Sequence, residues 1–169
     1  EELLLAEAHY RMFGAPLASY HALRDAAAER GIRLGIVSAY RSIDTQRWSF
    51  VNRIGELAME LRGRAVSADE IASGAADDVV EAVLTKNAIP GYSKHHTGST
   101  MDINDEASGR VFTDFGETDA FRWIAADNYA VAKRYGFIPS YPLGATSQGP
   151  DPEPWEYVWV GEALLREEW

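Results

Sequence analysis

The chain has 169 residues, the size of one ordinary domain, and is 46% hydrophobic with 5 Trp, 8 Tyr and 6 Phe, enough to fill a core and exclude wholesale disorder. Its net charge of -10 makes it a poor partner for nucleic acid or an anionic membrane surface, because phosphates would repel it. It has no cysteine, which excludes disulfides and thiolate metal sites and leaves any metal to His, Asp or Glu.

The opening stretch EELLLAEAHYRMF is charged and helix-like rather than a signal peptide, and no apolar run approaches the roughly 20 residues of a membrane span. Residues 2–13 are expected to form a short helix, with Leu4, Leu5, Ala8 and Met12 on one side. A second helix is expected from Pro16 to Glu29. Proline suits a first helical position, and Leu17, Tyr20, Leu23 and Ala27 recur at helical spacing until Gly31. LGIVSAY, 34–40, reads as a buried strand leading into a loop. A third helix, from about Asp44 to Leu61, carries Trp48, Val51, Ile54 and Leu57 as its apolar stripe.

Ser67 and Glu70 have capping-box spacing, which predicts a short helix that Gly74 interrupts. Pro90-Gly91 marks a loop, and TMDIND, 100–105, alternates as a short strand does. Thr118 to Tyr135 reads as a helix through Phe121, Ile124, Ala125, Tyr129 and Ala132, with Gly136 as its stop. The Pro/Gly-rich run SYPLGATSQGPDPEP is a loop, WEYVWVG is a strand, and the last residues return to helix. The order implies an α+β fold: a small antiparallel sheet flanked by helices, in a single domain over 1–169.

Three stretches carry polar groups suited to chemistry. In SKHHTG, 93–98, His95 precedes Asp102 by seven residues, and imidazole and carboxylate both ligate zinc. On spacing alone the favoured reading is a surface loop whose histidine caps something and whose aspartate sits in a turn; His96 is expected to point the other way, either supporting the ligands from behind or exposed. In PEPWEY, 152–157, Glu153 and Glu156 lie among aromatic residues, unusual for a plain core strand. One could be a base and the other a ligand, against the competing reading of a polar face on an edge strand. In SAYRSIDTQ, 38–46, Arg41 could fork onto a peptide carboxylate or pair structurally with Asp44 or another acid.

Taken together, SAYRSIDTQ, YSKHHTGSTMDI, AFRWIAADNYAVAKRYGFIPSYP and EPWEYVWVG resemble, in this order, segments of the VanY-type zinc D-alanyl-D-alanine carboxypeptidases, a group that includes LD-carboxypeptidases and D-Ala-D-Ala dipeptidases. The resemblance spans about 34–161. It implies that His95 and Asp102 are zinc ligands and that Glu153 is the base that takes a proton from the attacking water. Arg41 then binds and polarises the substrate, Ser93 and Gln46 line the substrate pocket, and Trp155, the aromatic residue of the last motif, joins them in binding substrate. It further implies a peptidoglycan stem peptide as substrate, release of terminal D-alanine, and export to the cell envelope or beyond.

One position departs from the pattern. The family reads Glu-x-Trp-His, and here Glu156 stands where the third, histidine, ligand is expected, with no histidine after His96. Glu156 is expected to ligate the metal itself, since carboxylate oxygens bind zinc at about 2.0–2.2 Å. The harder, more anionic set also suits Mn2+ or another oxygen-preferring ion. The alternative is a non-catalytic domain that binds cell-wall peptide on the same fold.

Overall fold

A computed structural model describes residues 2–7, 9–145 and 151–162. The chain divides into two units, one formed by residues 1–41, 94–145 and 153–169 and the other by 42–93 and 146–152.

The first unit opens with a hairpin, β1 (Leu3–Glu7) and β2 (Tyr10–Phe13), which corrects the helix expected over 2–13. So short an apolar run fits either period, and tertiary contacts decide. Leu4 and Leu5 of the expected helical stripe are exposed. The Glu7 carboxylate accepts hydrogen bonds from Tyr20 Oη, from Arg24 Nη1 at 3.3 Å and from the Ile36 amide at 3.0 Å. Helix α1 (Gly14–Ala28) follows as expected, and Leu17, Tyr20, Leu23 and Ala27 are all buried.

The four-stranded sheet has β3 (Leu34–Ser38), β4 (Thr100–Asp105), β5 (Phe137–Pro139) and β6 (Glu156–Trp159) in the order β3-β4-β6-β5, all antiparallel. Side chains alternate across a sheet. Met101 and Ile103 of β4 and Tyr157 of β6 therefore share the face buried in the core with α1, while Thr100, Asp102 and Glu156 project from the other. The register sets Asp102 directly opposite Glu156, and Ser38 beside Asp102 across a bulge in β3.

Helix α5 (Asp119–Arg134) is capped by the Thr118 hydroxyl, which accepts from the Phe121 amide. It is not the continuous helix the periodicity predicts. Ala126 is extended and Asp127, Asn128 and Tyr129 have φ of 52°, 55° and 62°. Asp and Asn tolerate the left-handed region; for a bulky residue such as Tyr129 it is strained. Tyr129 is held there by burial, its ring edge-on to Tyr157 at 6.3 Å. Strand β5, not foreseen, begins directly after Gly136 (φ 82°). The helix expected at the end of the chain and part of the 140–154 loop lie outside the described residues.

In the second unit, α2 (Ile43–Arg62) is capped by Ser42 Oγ, which accepts from the Thr45 amide, and ends at Gly63 in the left-handed region, φ 67°. Trp48 and Val51 of its expected apolar stripe are exposed instead, at 69% and 58%. The predicted capping box at Ser67 and Glu70 starts α3 (Ala68–Ala72). Helix α4 (Asp77–Leu84) packs on α2 through Val79 and Val83 and is tied to Arg62 by Asp78.

Candidate metal centre

Two carboxylates in register on neighbouring strands are an unfavourable pair unless a cation joins them. Asp102 and Glu156 are such a pair, and both are buried. His95 completes the group from a short 3₁₀ turn (Lys94–Thr97) just before β4. The three ligand atoms lie within 4.8 Å of one another; at that outer bound two unit negative charges repel by about 3.5 kcal/mol at an effective dielectric near 20.

The turn is shaped by Gly98, whose φ of 71° returns the chain into β4. An alanine Cβ there would meet Phe13 ring carbons at 2.9 Å and Leu3 Cδ2 at 3.1 Å. The Gly98 carbonyl also accepts from the Phe13 amide at 3.0 Å. His95 is oriented by its other ring nitrogen: Nδ1 lies 2.7 Å from the Ala39 carbonyl, which can only accept, so Nδ1 carries the proton and donates. Nε2 is then aimed at Asp102 Oδ2 and Glu156 Oε2, each 3.3 Å away. Ligand atoms about 2.0–2.1 Å from a tetrahedral zinc stand roughly 3.3 Å apart, so the two separations from His95 have zinc dimensions. Asp102 Oδ1 is buried with no hydrogen-bond partner among the described residues. A lone pair on Nε2, two facing carboxylates and an orphaned oxygen all call for a cation.

The charges respond accordingly. Burial alone would lower the His95 imidazole, but the hydrogen bond and charge of Asp102, with help from Glu156, outweigh it and hold the group up at about 9. Burial would raise Glu156, but His95 and Lys94 bring it down to about 2. Without metal, an imidazolium therefore sits between the two carboxylates.

Around this set the first unit gathers further groups. Glu153 is partly buried on the turn into β6, with its carbonyl accepting from the Glu156 amide at 3.2 Å. Burial, then the charges of Glu156 and Asp102, push its carboxyl up to about 8 against the opposing pull of Lys94 and His95. Arg41 Nη2 donates to Ser38 Oγ at 2.9 Å and lies 3.8 Å from Asp102 Oδ2, the other acid its sequence reading allowed, while Asp44 pairs with Arg47. Trp155 is buried in the core cluster, edge-on to Phe112 at 5.6 Å, and its carbonyl accepts from the Ile103 amide at 3.0 Å. Gln46 and Ser93 belong to the second unit. Both are buried there, and Gln46 Nε2 donates to the Ala88 carbonyl at 2.7 Å.

Three contributors support the set, and two of them, Lys94 and Tyr141, were not foreseen from the sequence. His96, read as either supporting the ligands from behind or exposed, takes the supporting place: its Nδ1 lies 2.6 Å from the Arg41 carbonyl, and the Arg41 amide donates to the His95 carbonyl at 3.2 Å. The paired histidines thus pin the Ala39–Arg41 segment at two carbonyls. Lys94 Nζ lies 2.7 Å from Glu156 Oε1. Tyr141 is buried beneath that ammonium. Burial first, then the carboxylates of Glu153, Glu156 and Asp102, push its hydroxyl above the ordinary phenol range. Tyr141 lies in the SYP of a segment that carries the resemblance; Lys94 had no signal beyond adjacency to His95.

The chain belongs to the D-alanyl-D-alanine carboxypeptidase family of VanY, which it matches over residues 14–162. It is 31% identical over 144 residues to YodJ of Bacillus subtilis (strain 168) and 30% identical over 140 residues to a D-alanyl-D-alanine carboxypeptidase of Enterococcus faecalis (strain ATCC 700802 / V583). These matches cover 84% and 82% of the chain but 44% of each relative, so the chain spans less than half the length of the curated relatives it matches. Among solved structures, a mutant of the vancomycin-resistance D,D-pentapeptidase VanY in complex with Zn(II) superposes with a TM-score of 0.71 at 25% identity, covering 97% of this chain and 81% of that one. The LdcB LD-carboxypeptidase gives 0.70 at 26%, over 97% and 70% of the two chains. The mixed fold with small antiparallel sheets is the fold of these neighbours.

Proposed function

We propose that this chain is a zinc-dependent carboxypeptidase that removes the terminal D-alanine from peptidoglycan stem peptides in the cell envelope. The observation that carries the proposal is the convergence of the His95, Asp102 and Glu156 ligand atoms within 4.8 Å of one another, with His95 Nε2 3.3 Å from each carboxylate, in a member of this family. The Enterococcus faecalis relative is a D-alanyl-D-alanine carboxypeptidase, and a VanY neighbour is a zinc complex.

His95, Asp102 and Glu156 hold the metal, with Glu156 as third ligand. Zinc bound there supplies Lewis acidity toward the scissile carbonyl and acidifies water. The protein's own groups do the rest. Glu153 takes a proton from the attacking water as its oxygen bonds to the carbonyl carbon. It returns the proton to the departing amine as the C–N bond breaks. Its place beside the carboxylates of Glu156 and Asp102 puts it next to the proposed ligand set, where it can take a proton from the water and pass it on. Arg41, held by Ser38, presents its guanidinium to the developing negative charge on the substrate oxygen. With two carboxylates in the set, Mn2+ is the second ion to test.

The test is elemental analysis of the wild type and Glu156→Ala, with D-alanine release measured from a D-Ala-D-Ala-terminated peptide. About one equivalent of zinc in the wild type, lost in the variant together with release, is expected of a one-metal site. A wild type that cannot be loaded with zinc or manganese, yet binds the peptide, would replace this reading with a non-catalytic cell-wall-binding domain.

A further inference from the structure

Glutamate in place of a neutral imidazole changes a metal site in two ways. It adds a negative charge, and it offers a second donor oxygen that can chelate the same ion. Larger, oxygen-preferring ions accept such chelation readily, whereas a four-coordinate zinc site takes one atom from each ligand.

The surroundings of Glu156 answer both changes at once. Its two oxygens are divided: Oε2 faces His95 Nε2 at 3.3 Å, and Oε1 is taken by Lys94 Nζ at 2.7 Å. The ammonium is held from behind by the Tyr141 ring, 4.2 Å from the centroid. Its main chain is anchored too, because the Lys94 carbonyl accepts from Thr97 Oγ1 at 2.7 Å and from Thr100 Oγ1 at 3.0 Å. Lys94 therefore approaches from the turn that also carries His95, which fixes the direction of its hydrogen bond relative to the ligand set.

We infer that Lys94 is a positioning residue for Glu156: by occupying Oε1 and balancing its charge, it makes the glutamate a one-oxygen ligand that stands in for a neutral imidazole, and so sets the preference for zinc. The inference rests on the reading that His95, Asp102 and Glu156 hold a metal. Ligand-supporting contacts of this kind change metal affinity by about 10–100-fold when removed.

The experiment is a competition titration of zinc against manganese(II) on the full chain, with the visible spectrum of the cobalt(II)-loaded protein as a second readout. The variants are Lys94→Met and Lys94→Arg, each made with Glu156 and with Glu156→His. The Lys94 side chain is 41% exposed, and thermal unfolding of the metal-stripped variants checks that they fold. With Glu156 present, Lys94→Met is expected to reduce the preference for zinc over manganese at least about tenfold. It should also weaken the cobalt visible bands, as coordination rises above four. Lys94→Arg, which keeps charge and donor, should restore both.

With Glu156→His there is no second oxygen to restrain, and Lys94→Met should change the preference less than about twofold, the behaviour of an uncoupled pair. An unchanged preference and spectrum in Lys94→Met would overturn the inference, and so would an equal change in the Glu156→His background. A wild type that takes up none of the three ions would bring down the metal centre itself, which separates that failure from a failure of the role given to Lys94.

Discussion

Replacing Gly98 by alanine tests whether the turn that delivers His95 is built as described. Two costs add. The residue stands at φ 71°, where an L side chain costs about 1–2 kcal/mol. The new Cβ would also lie 2.9 Å from two Phe13 ring carbons and 3.1 Å from Leu3 Cδ2. Carbon atoms pack at about 3.5–4.0 Å, so the hairpin must recede by well over half an ångström, an overpacking cost of about 1–3 kcal/mol. The sum is about 2–5 kcal/mol, or a fall in Tm of roughly 4–20 °C for a chain of this size. Urea unfolding of the metal-stripped protein measures it. Phe13→Ala supplies the control: in that background most of the overlap is gone, and Gly98→Ala should cost little more than its backbone share, about 1–2 kcal/mol. A cost below about 0.5 kcal/mol in the wild-type background, the scatter of neutral surface substitutions, would refute the packing argument. An equal cost in both backgrounds would refute the role of Phe13.

Three further outcomes are expected. Glu153→Gln should retain its zinc by elemental analysis while D-alanine release falls by about 10²–10⁴-fold, the share of a general acid–base group; near-normal release would remove Glu153 from that role. The metal-stripped protein should lose stability as pH rises. Glu153 is raised to about 8, so its ionisation opposes folding above its unfolded value near 4.5. His95 is raised to about 9, so the stability its charged form contributes is complete below about 6.5 and lost as pH passes 9. Denaturant midpoints should accordingly be lower at pH 8.5 than at pH 5.5, and the opposite order would contradict the acidic cluster described. Glu7→Ala should destabilise by about 2–4 kcal/mol in urea unfolding, because the buried Tyr20 hydroxyl and the Ile36 amide lose their shared acceptor; a change under about 1 kcal/mol would mean the network carries little.

What could be read from the sequence, and what could not, follows the reach of each signal. Helix α1 was legible because Leu17, Tyr20, Leu23 and Ala27 repeat over about three turns and all point into one core. β4 was legible from its alternation, and Asp102 with it. The hairpin was not, since its decisive contact, Glu7 to the Ile36 amide and Tyr20, joins segments that no local pattern connects. The left-handed break in α5 left a trace in Asp127-Asn128, which a strong helical period overrode. The stripe on α2 predicted burial for Trp48 and Val51, which the structure leaves in solvent. At the site, His95 and Asp102, which match the motif, converge with Glu156, which stands where the motif has a histidine. The residues that support them, Lys94, His96 and Tyr141, act through contacts with parts of the chain far from their own neighbours and carry no spacing rule of their own.

The register of β6 on β4 has a consequence for folding fidelity. A slip of one residue would turn Glu156 toward the apolar face and send Tyr157 outward, breaking the acidic pair and leaving a carboxylate in the core. On the proposed ligand set, only the native alignment would present three ligands to one ion, so metal uptake would discriminate among strand alignments by free energy and not merely by speed. A metal ion available as β6 pairs with β4 would act as a proofreader of that pairing, and chains that mis-set the strand would be recognisable by their failure to retain it.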